Sequence, residues 1–141
     1  MLPIRLYVLG EPKAQPRAKA RRCGGFVQMY TPATAKEWKG LIADAVKPFL
    51  SKAPIDCALL VELVFYMPRP KAHFKKSGLR DTAPYWHTNK PDSDNLTKAV
   101  FDAITDTGLW RDDSLVAHTT CRKVYADNDG KTGCAITISP L

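Results

Sequence analysis

Six of the chain's fourteen acidic residues fall between Lys90 and Asp113, in the stretch KPDSDNLTKAVFDAITDTGLWRDD. They are Asp92, Asp94, Asp102, Asp106, Asp112 and Asp113. Carboxylates this close together repel one another, although the chain as a whole carries a formal net charge of +7. Carboxylate oxygens are ligands that Mg²⁺ prefers, and lysine and arginine neutralise phosphates. This combination is typical of a metal-dependent nuclease.

The residue types suit the cleavage of a phosphodiester, which needs an activated water, a neutralised transition state and a stabilised leaving oxygen. Mg²⁺ ions held by carboxylates can serve all three needs. Asp94 is the expected N-cap of a helix predicted near residues 95–105, and Lys98 and Asp102 continue the same stripe. Asp112 and Asp113 come after the helix, so the chain must fold back if they are to share a metal with its start.

Hydrophobic patterning predicts an α+β fold, a single domain over residues 1–141 with the element order β-β-α-β-α-β-β. The predicted strands cover residues 2–9, 26–30, 55–67, 116–125 and 134–139. The second strand is expected to pair with the first, and the last two to form a hairpin around a turn at Asp127–Gly130. The first helix is expected to begin with Thr31 as N-cap and Pro32 at its first position and to reach about Leu50. Gly108 is expected to end the second helix.

Two long basic segments, residues 10–25 and 68–91, are predicted to be loops. Loops of this length are usually functional or disordered, and their charge favours contact with DNA phosphates. The candidate DNA-binding residues are Arg17, Lys19, Arg21, Arg22, Arg69, Lys71, Lys75, Lys76 and Arg80.

The bulk composition narrows the class of protein. At 141 residues with 45% hydrophobic content, the chain can bury a core, and its pI of about 9.3 favours an anionic partner. No run approaches the ~20 apolar residues of a membrane span, and the first ten residues are interpreted as a strand, not a signal peptide. A cytoplasmic protein without a membrane partner is expected. The four cysteines show no zinc-finger spacing and are expected to be reduced thiols.

The acidic stretch resembles the RusA family of Holliday junction resolvases over residues 91–116. The resemblance rests on Asp92-x-Asp94-Asn95-Leu96-x-Lys98-x-x-x-Asp102-Ala103, followed by Gly108-x-Trp110-x-Asp112-Asp113. It implies that Asp92, Asp94 and Asp113 are metal ligands and that Lys98 is catalytic, with Asp112 as a further candidate ligand. It also implies Mg²⁺ as cofactor, with Mn²⁺ as a substitute and no small-molecule cofactor. The implied partner is a four-way DNA junction, which a homodimer cuts by paired symmetric nicks during recombination and repair.

The residues alone leave other functions open. A metal-dependent nuclease acting on flaps, single strands or RNA would use the same acidic site. A non-catalytic basic DNA-binding module would keep the carboxylates for structural purposes. A sugar-nucleotide transferase also uses Asp-x-Asp, but a chain of 141 residues has little room for a nucleotide-binding half. If the protein is not catalytic, Asp94 and Lys98 form an ordinary exposed i,i+4 pair.

Overall fold

The structure, a computed structural model, describes residues 2–30, 34–127 and 129–141. Within these ranges, two helices and eight strands form an α+β fold, as the sequence predicts. In chain order they are β1 (Ile4–Leu9), β2 (Lys19–Cys23), β3 (Phe26–Tyr30), α1 (Lys36–Val46), β4 (Leu59–Met67), β5 (Phe74–Lys75), β6 (Gly78–Leu79), α2 (Ser93–Thr107), β7 (Val116–Tyr125) and β8 (Gly133–Pro140). Short 3₁₀ turns lie at Lys47–Phe49, Lys71–His73 and Asp113–Leu115.

The central sheet is mixed and has four strands in the order β1-β8-β4-β7. β8 runs antiparallel to both of its neighbours, whereas β4 and β7 are parallel. Parallel strands need a crossover connection, and α2 lies in the segment between β4 and β7. α2 therefore runs back along the sheet, with its start near the carboxyl ends of these two strands and its end near their amino ends.

The core lies between this sheet and the two helices. Every second residue of β4 is buried: Leu59, Val61, Leu63, Phe65 and Met67. The helices cover this face with Trp38, Ile42 and Val46 from α1 and Leu96, Ala99, Val100, Ala103 and Ile104 from α2. Burial of this apolar surface contributes roughly 25 cal/mol per Å² and fixes which face of α2 points inward. The opposite face of α2 is left for polar side chains.

The predicted C-terminal hairpin is wrong. β7 and β8 form close to the expected positions, but β4 lies between them in the sheet. Leu63 of β4 pairs with Cys121 on one side and with Ile136 on the other. β4 is the most apolar strand of the chain, and the central position buries it more completely than an edge position would. This gain outweighs the local pairing that the short connection favours.

The predicted pairing of residues 26–30 with the first strand is also wrong. β3 pairs with β2, which lies inside the segment predicted to be a loop over residues 10–25. Gly24 and Gly25 form the tight turn between them, and Gly24 has a left-handed φ of +62°. A Gly-Gly pair is a hairpin signal, but a segment rich in basic residues, proline and glycine is also typical of a loop. Residues 68–91 likewise contain β5, β6 and a 3₁₀ turn, so they are not a continuous loop.

The helix boundaries differ from prediction at their N-terminal ends. α1 has Ala35 as its N-cap, while the expected cap residues Thr31 and Pro32 lie outside the described residues. α2 begins at Ser93 with Asp92, not Asp94, as its N-cap. Gly108 ends α2 with a left-handed φ of +80°, as predicted. No helix in the described ranges is long and apolar enough to span a membrane.

Gly133 in β8 lies where β1 and β8 approach each other closely. An added Cβ at Gly133, which pairs with Leu9 of β1 and Tyr66 of β4, would overlap the Val8 carbonyl and the Tyr7 ring. A backbone carbonyl cannot move aside cheaply, so we expect Gly133→Ala to reduce the free energy of unfolding by about 1–3 kcal/mol.

The control is Gly40→Ala in α1, where an added Cβ meets open space. Higher helix propensity should leave this variant as stable as the wild type or more stable by up to about 1 kcal/mol. Urea unfolding measures both variants. Equal stability of Gly133→Ala and wild type would contradict the close approach of β1 and β8.

Candidate active site at the start of α2

The first two motif carboxylates lie at the N-terminus of α2. Asp92 is the N-cap in extended conformation, and its carbonyl accepts the first helical hydrogen bond from the Leu96 amide at 3.1 Å. Asp94 follows in the first turn. Both side chains are exposed, and within the described residues neither forms an ion pair or a side-chain hydrogen bond. The positive end of the helix dipole stabilises negative charge here, and the oxygens stay free to bind a ligand.

Lys98 lies one turn further along the exposed side of α2. It forms no ion pair with Asp94 within the described residues, although the i,i+4 spacing would allow one. Asp102, another turn along, is half-buried. The stripe of Asp94, Lys98 and Asp102 on one side of the helix, opposite its buried face, agrees with the predicted pattern. The ammonium group of Lys98 is thus available to an anionic ligand.

The second acidic pair follows Trp110, which is buried in the core. Asp112 caps the 3₁₀ turn at Asp113–Leu115 and accepts a hydrogen bond from the Ser114 amide at 3.0 Å. The Ser114 hydroxyl, followed by this amide hydrogen bond and more weakly by the Arg111 charge, lowers the pKa of Asp112. Asp113 is half-buried next to it. Asp112 therefore has a local structural role that Asp113 does not share.

The two acidic pairs lie at opposite ends of the crossover unit. The fifteen residues of α2 span about 22 Å between them. β7 separates the two pairs by a similar distance. It begins at Val116, close to Asp113, and seven residues after Val116 its Lys123 side chain contacts Pro91, next to Asp92. Those seven residues extend about 23 Å. In the described part of the chain, no group of three or more His, Cys, Asp or Glu side chains could hold a metal ion.

Lys123 holds the segment that leads into Asp92. Its ammonium group donates to the carbonyls of Asn89 and Pro91, at 2.7 Å each. Its own carbonyl accepts from the His87 amide at 3.1 Å, so one residue fastens the segment at three points. Burial, and secondarily the Lys123 charge, lowers the pKa of His87 and keeps its ring neutral near pH 7. Residues 87–91 are thereby fixed against the end of β7.

Arg69 holds an earlier part of this segment, near Pro84, against the end of β7. Its guanidinium donates to the Ala126 carbonyl at 2.7 Å and the Pro84 carbonyl at 2.8 Å, and lies 5.1 Å from the Tyr125 ring centroid. These contacts give Arg69 a structural role besides the predicted contact with DNA. Other candidate DNA-binding residues of this segment are exposed: Lys71, Lys75, Lys76 and Arg80.

The N-terminal basic segment reaches the start of α2. The Gln15 amide donates to the Asn95 carbonyl at 3.0 Å. Arg17 lines a cleft of about 500 Å³ together with Asp92, and Lys90, Pro91 and Asn95 complete its lining. The structure thus brings one predicted DNA-binding residue next to a predicted metal ligand, although the two are 75 positions apart in sequence.

The β2–β3 hairpin carries the remaining candidate DNA-binding residues. Lys19 and Arg21 share one of its faces with Phe26 and Tyr30, and Arg22 lies on the other face. Arg21 donates to the Gln28 side chain at 3.2 Å and lies 5.1 Å from the Tyr30 ring centroid. Phe26 is 66% exposed. Exposed aromatic rings between cations are typical of nucleic-acid surfaces, because bases stack on the rings while the cations bind phosphates.

The fold and these groups define a basic α+β protein in which exposed carboxylates and a lysine on α2 lie beside basic side chains. The model of the family "Endodeoxyribonuclease RusA" matches residues 10–138, which is most of the chain. The protein therefore belongs to the RusA family of endodeoxyribonucleases.

Two relatives are similar to this chain. "Uncharacterized protein YqaN" of Bacillus subtilis (strain 168) is 31% identical over 127 residues, covering 88% of this chain and 89% of the relative. "Crossover junction endodeoxyribonuclease RusA" of Escherichia coli O139:H28 (strain E24377A / ETEC) is 46% identical over 46 residues, covering 33% of this chain and 38% of the relative. Similarity to the second protein is thus concentrated in one part of the chain.

No motif or spacing in the sequence singles out Lys123, His87 or Gln15. Lys123 lies in an ordinary strand pattern, and its importance depends on which segment packs beside that strand. Gln15 acts through its backbone amide, which any residue except proline could supply. These roles follow from tertiary contacts, which patterns within the sequence do not show.

We expect Lys123→Met to misplace Asp92 while keeping the apolar stem of the side chain. Two carbonyls lose a charged donor, and small misplacements at a catalytic site can cost up to about 100-fold in rate. The predicted result is a cleavage rate about 10–100-fold lower, with partial rescue by Lys123→Arg.

The control for Lys123→Met is Arg122→Met, which removes a charge from the exposed neighbouring residue of β7. Rates should be compared at saturating metal and DNA, with thermal melting to verify folding. A folded Lys123→Met protein that cleaves DNA as fast as Arg122→Met would contradict the positioning role.

Proposed function

We propose that this protein is a Mg²⁺-dependent endonuclease that resolves four-way DNA junctions by paired symmetric nicks in recombination and repair. The observation that carries the proposal is the free pair of carboxylates, Asp92 and Asp94, at the start of α2 in a chain of the RusA family. The name of the Escherichia coli relative supports the choice of substrate, since it refers to crossover junctions. We expect the protein to act in the cytoplasm.

Mg²⁺ is the proposed cofactor because the candidate ligands are carboxylates. Asp92 and Asp94 fit part of such a site, since both are exposed and unpaired within the described residues. The described residues of one chain bring no third carboxylate to this pair, because Asp113 lies at the other end of α2. When bound, the metal would activate water and neutralise charge on the phosphate. Lys98 would contribute a further positive charge to the transition state.

A homodimer is proposed because it removes this difficulty. In a two-fold dimer whose crossover units lie side by side with opposite directions, Asp113 of one copy can meet Asp92 and Asp94 of the other. Such two-fold dimers are the commonest oligomers, and a four-way junction has near two-fold symmetry itself. Two shared sites related by that axis would account for paired nicks. β7 is the edge strand on the side of the crossover unit, and in the described residues the first half of its outer side has no strand partner, so it is one candidate contact.

The basic surfaces support DNA as the ligand. Arg17 lines the cleft beside Asp92, and the β2–β3 hairpin presents Lys19, Arg21 and Arg22. Lys71, Lys75, Lys76 and Arg80 lie exposed in the second basic segment. Contacts of this kind orient a duplex through its phosphates and are strongly salt-dependent.

The test is cleavage of a synthetic four-way junction and a matched linear duplex, each with Mg²⁺ or EDTA, followed by mapping of the nicks. We expect symmetric nicks in two opposed strands of the junction with Mg²⁺ only. Asp92→Asn, Asp94→Asn and Asp113→Asn should each lose more than about 100-fold in rate, beyond what outer-shell residues usually cost. Junction binding should be largely kept, because no basic residue is removed.

The matched control is Asp106→Asn, which neutralises an exposed carboxylate near the far end of α2 outside the motif. It should cleave like the wild type. Retained Mg²⁺-dependent cleavage by Asp94→Asn would refute the metal site. Preferential cleavage of flaps or single strands would favour a nuclease of other specificity, and binding without cleavage would favour a non-catalytic DNA-binding module.

A further inference from the structure

A second cavity adjoins the cleft at Asp92. Its volume is about 440 Å³, and it lies between residues 11–19 and 87–91. Arg17, Lys90 and Pro91 line both spaces. The volume lies within the range of small-molecule pockets, about 300–1,000 Å³. A ligand in the cavity would therefore lie next to a phosphate bound in the cleft that Asp92 lines.

The lining of the cavity combines apolar and cationic side chains. Four prolines and a methionine contribute flat, stiff surface: Pro12, Pro16, Met67, Pro68 and Pro91. Lys13, Arg17, Lys19 and Lys90 also line it, together with one acid, Glu11, which pairs with Lys13 at 3.4 Å. This distribution suits a flat uncharged group attached to a phosphate backbone, because the cations would bind the phosphates on either side.

The cavity is held in shape on both sides. Gln15 is fastened to α2 by its amide, and His87 is fastened to β7 through Lys123. His87 is 9% exposed, and its Nδ1 and the Oε1 of Gln15 are buried without hydrogen-bond partners in the described residues. Buried polar atoms are usually partnered, so both side chains retain hydrogen-bonding capacity. Small rotations of these two lining side chains could direct that capacity to the polar edge of a ligand.

We propose that this cavity receives one unstacked nucleobase of the strand that is cut, next to the scissile phosphate. This inference rests on the proposed nuclease function and adds a site that reads or anchors a base. Enzymes that extrude a base hold it in such pockets between apolar surfaces and bind its edge by hydrogen bonds. The site would give the cut a dependence on the base at one position, in addition to the junction shape.

The first experiment places 2-aminopurine, whose fluorescence rises when it unstacks, at each nucleotide around the crossover of a junction in turn. Wild-type protein in EDTA should raise the fluorescence at one position per cut strand. Ala14→Phe, which fills the cavity from its lining, should abolish the rise. Ala18→Phe is the matched control, since Ala18 is exposed in the same segment and outside that lining.

The second experiment uses wild-type protein alone and so does not depend on how the variants fold. Removal of the base at the identified position should slow Mg²⁺-dependent cleavage about tenfold or more, the effect of losing one stacked base. Abasic sites at the neighbouring positions should have little effect. Ala14→Phe, checked by thermal melting, should cut intact and abasic junctions at equal rates.

The outcomes separate this inference from the proposed function. If wild-type protein cuts junctions but shows no fluorescence rise and no abasic effect at any position, the base pocket is wrong and the nuclease stands. If Ala14→Phe keeps both signals, the base lies elsewhere and the inference is again overturned. If wild-type protein cuts no junction with Mg²⁺, the proposed function fails.

Discussion

The parallel pairing of β4 and β7 is the constraint on which the rest of the structure depends. Parallel neighbours need a crossover, and here the crossover contains α2, which runs back across the sheet. The helix start is thus placed at one end of the sheet and its end at the other, about 22 Å away. Because the carboxylates of the motif flank α2, this topology sends Asp92 and Asp94 to one end and Asp112 and Asp113 to the other. A single copy of the chain therefore presents two separate acidic pairs.

The two acidic pairs differ in the contacts that hold them in place. The start of α2 is supported by long-range contacts: Lys123 fastens the segment before Asp92, and Gln15 fastens the N-terminal basic segment to Asn95. These contacts gather Arg17, Asp92 and two adjoining cavities at the carboxyl ends of β4 and β7, where ligands bind in many α/β proteins. The far end holds Asp112 in a local turn and leaves Asp113 beside it. In the proposed dimer, DNA would be positioned at the start of α2, and a second copy would supply Asp113 to that end.

The sequence predicts what is local and misses what is long-range. The Asp-x-Asp motif, Lys98 one turn later and Gly108 as the helix end all follow from spacing within α2, and the family follows from the same residues. The place of β4 between β7 and β8 does not, because a short connection favours a hairpin and only the burial of the whole sheet decides otherwise. The contact of Lys123 with Pro91 is invisible for the same reason, since it joins residues 32 positions apart. Helix length shows that the chain must fold back if the acids are to meet, but periodicity does not show that α2 keeps them apart.

Mixing two inactive variants tests the shared site most directly. Asp92→Asn and Asp113→Asn proteins, each inactive alone, are unfolded together, refolded as an equimolar mixture and assayed on a four-way junction with Mg²⁺. If each site takes Asp92 from one copy and Asp113 from the other, every mixed dimer contains one site with both aspartates intact. We predict that the mixture regains cleavage, as single nicks in place of paired ones. A mixture in which tagged subunits prove that mixed dimers have formed, yet which stays as inactive as either variant alone, would contradict the account.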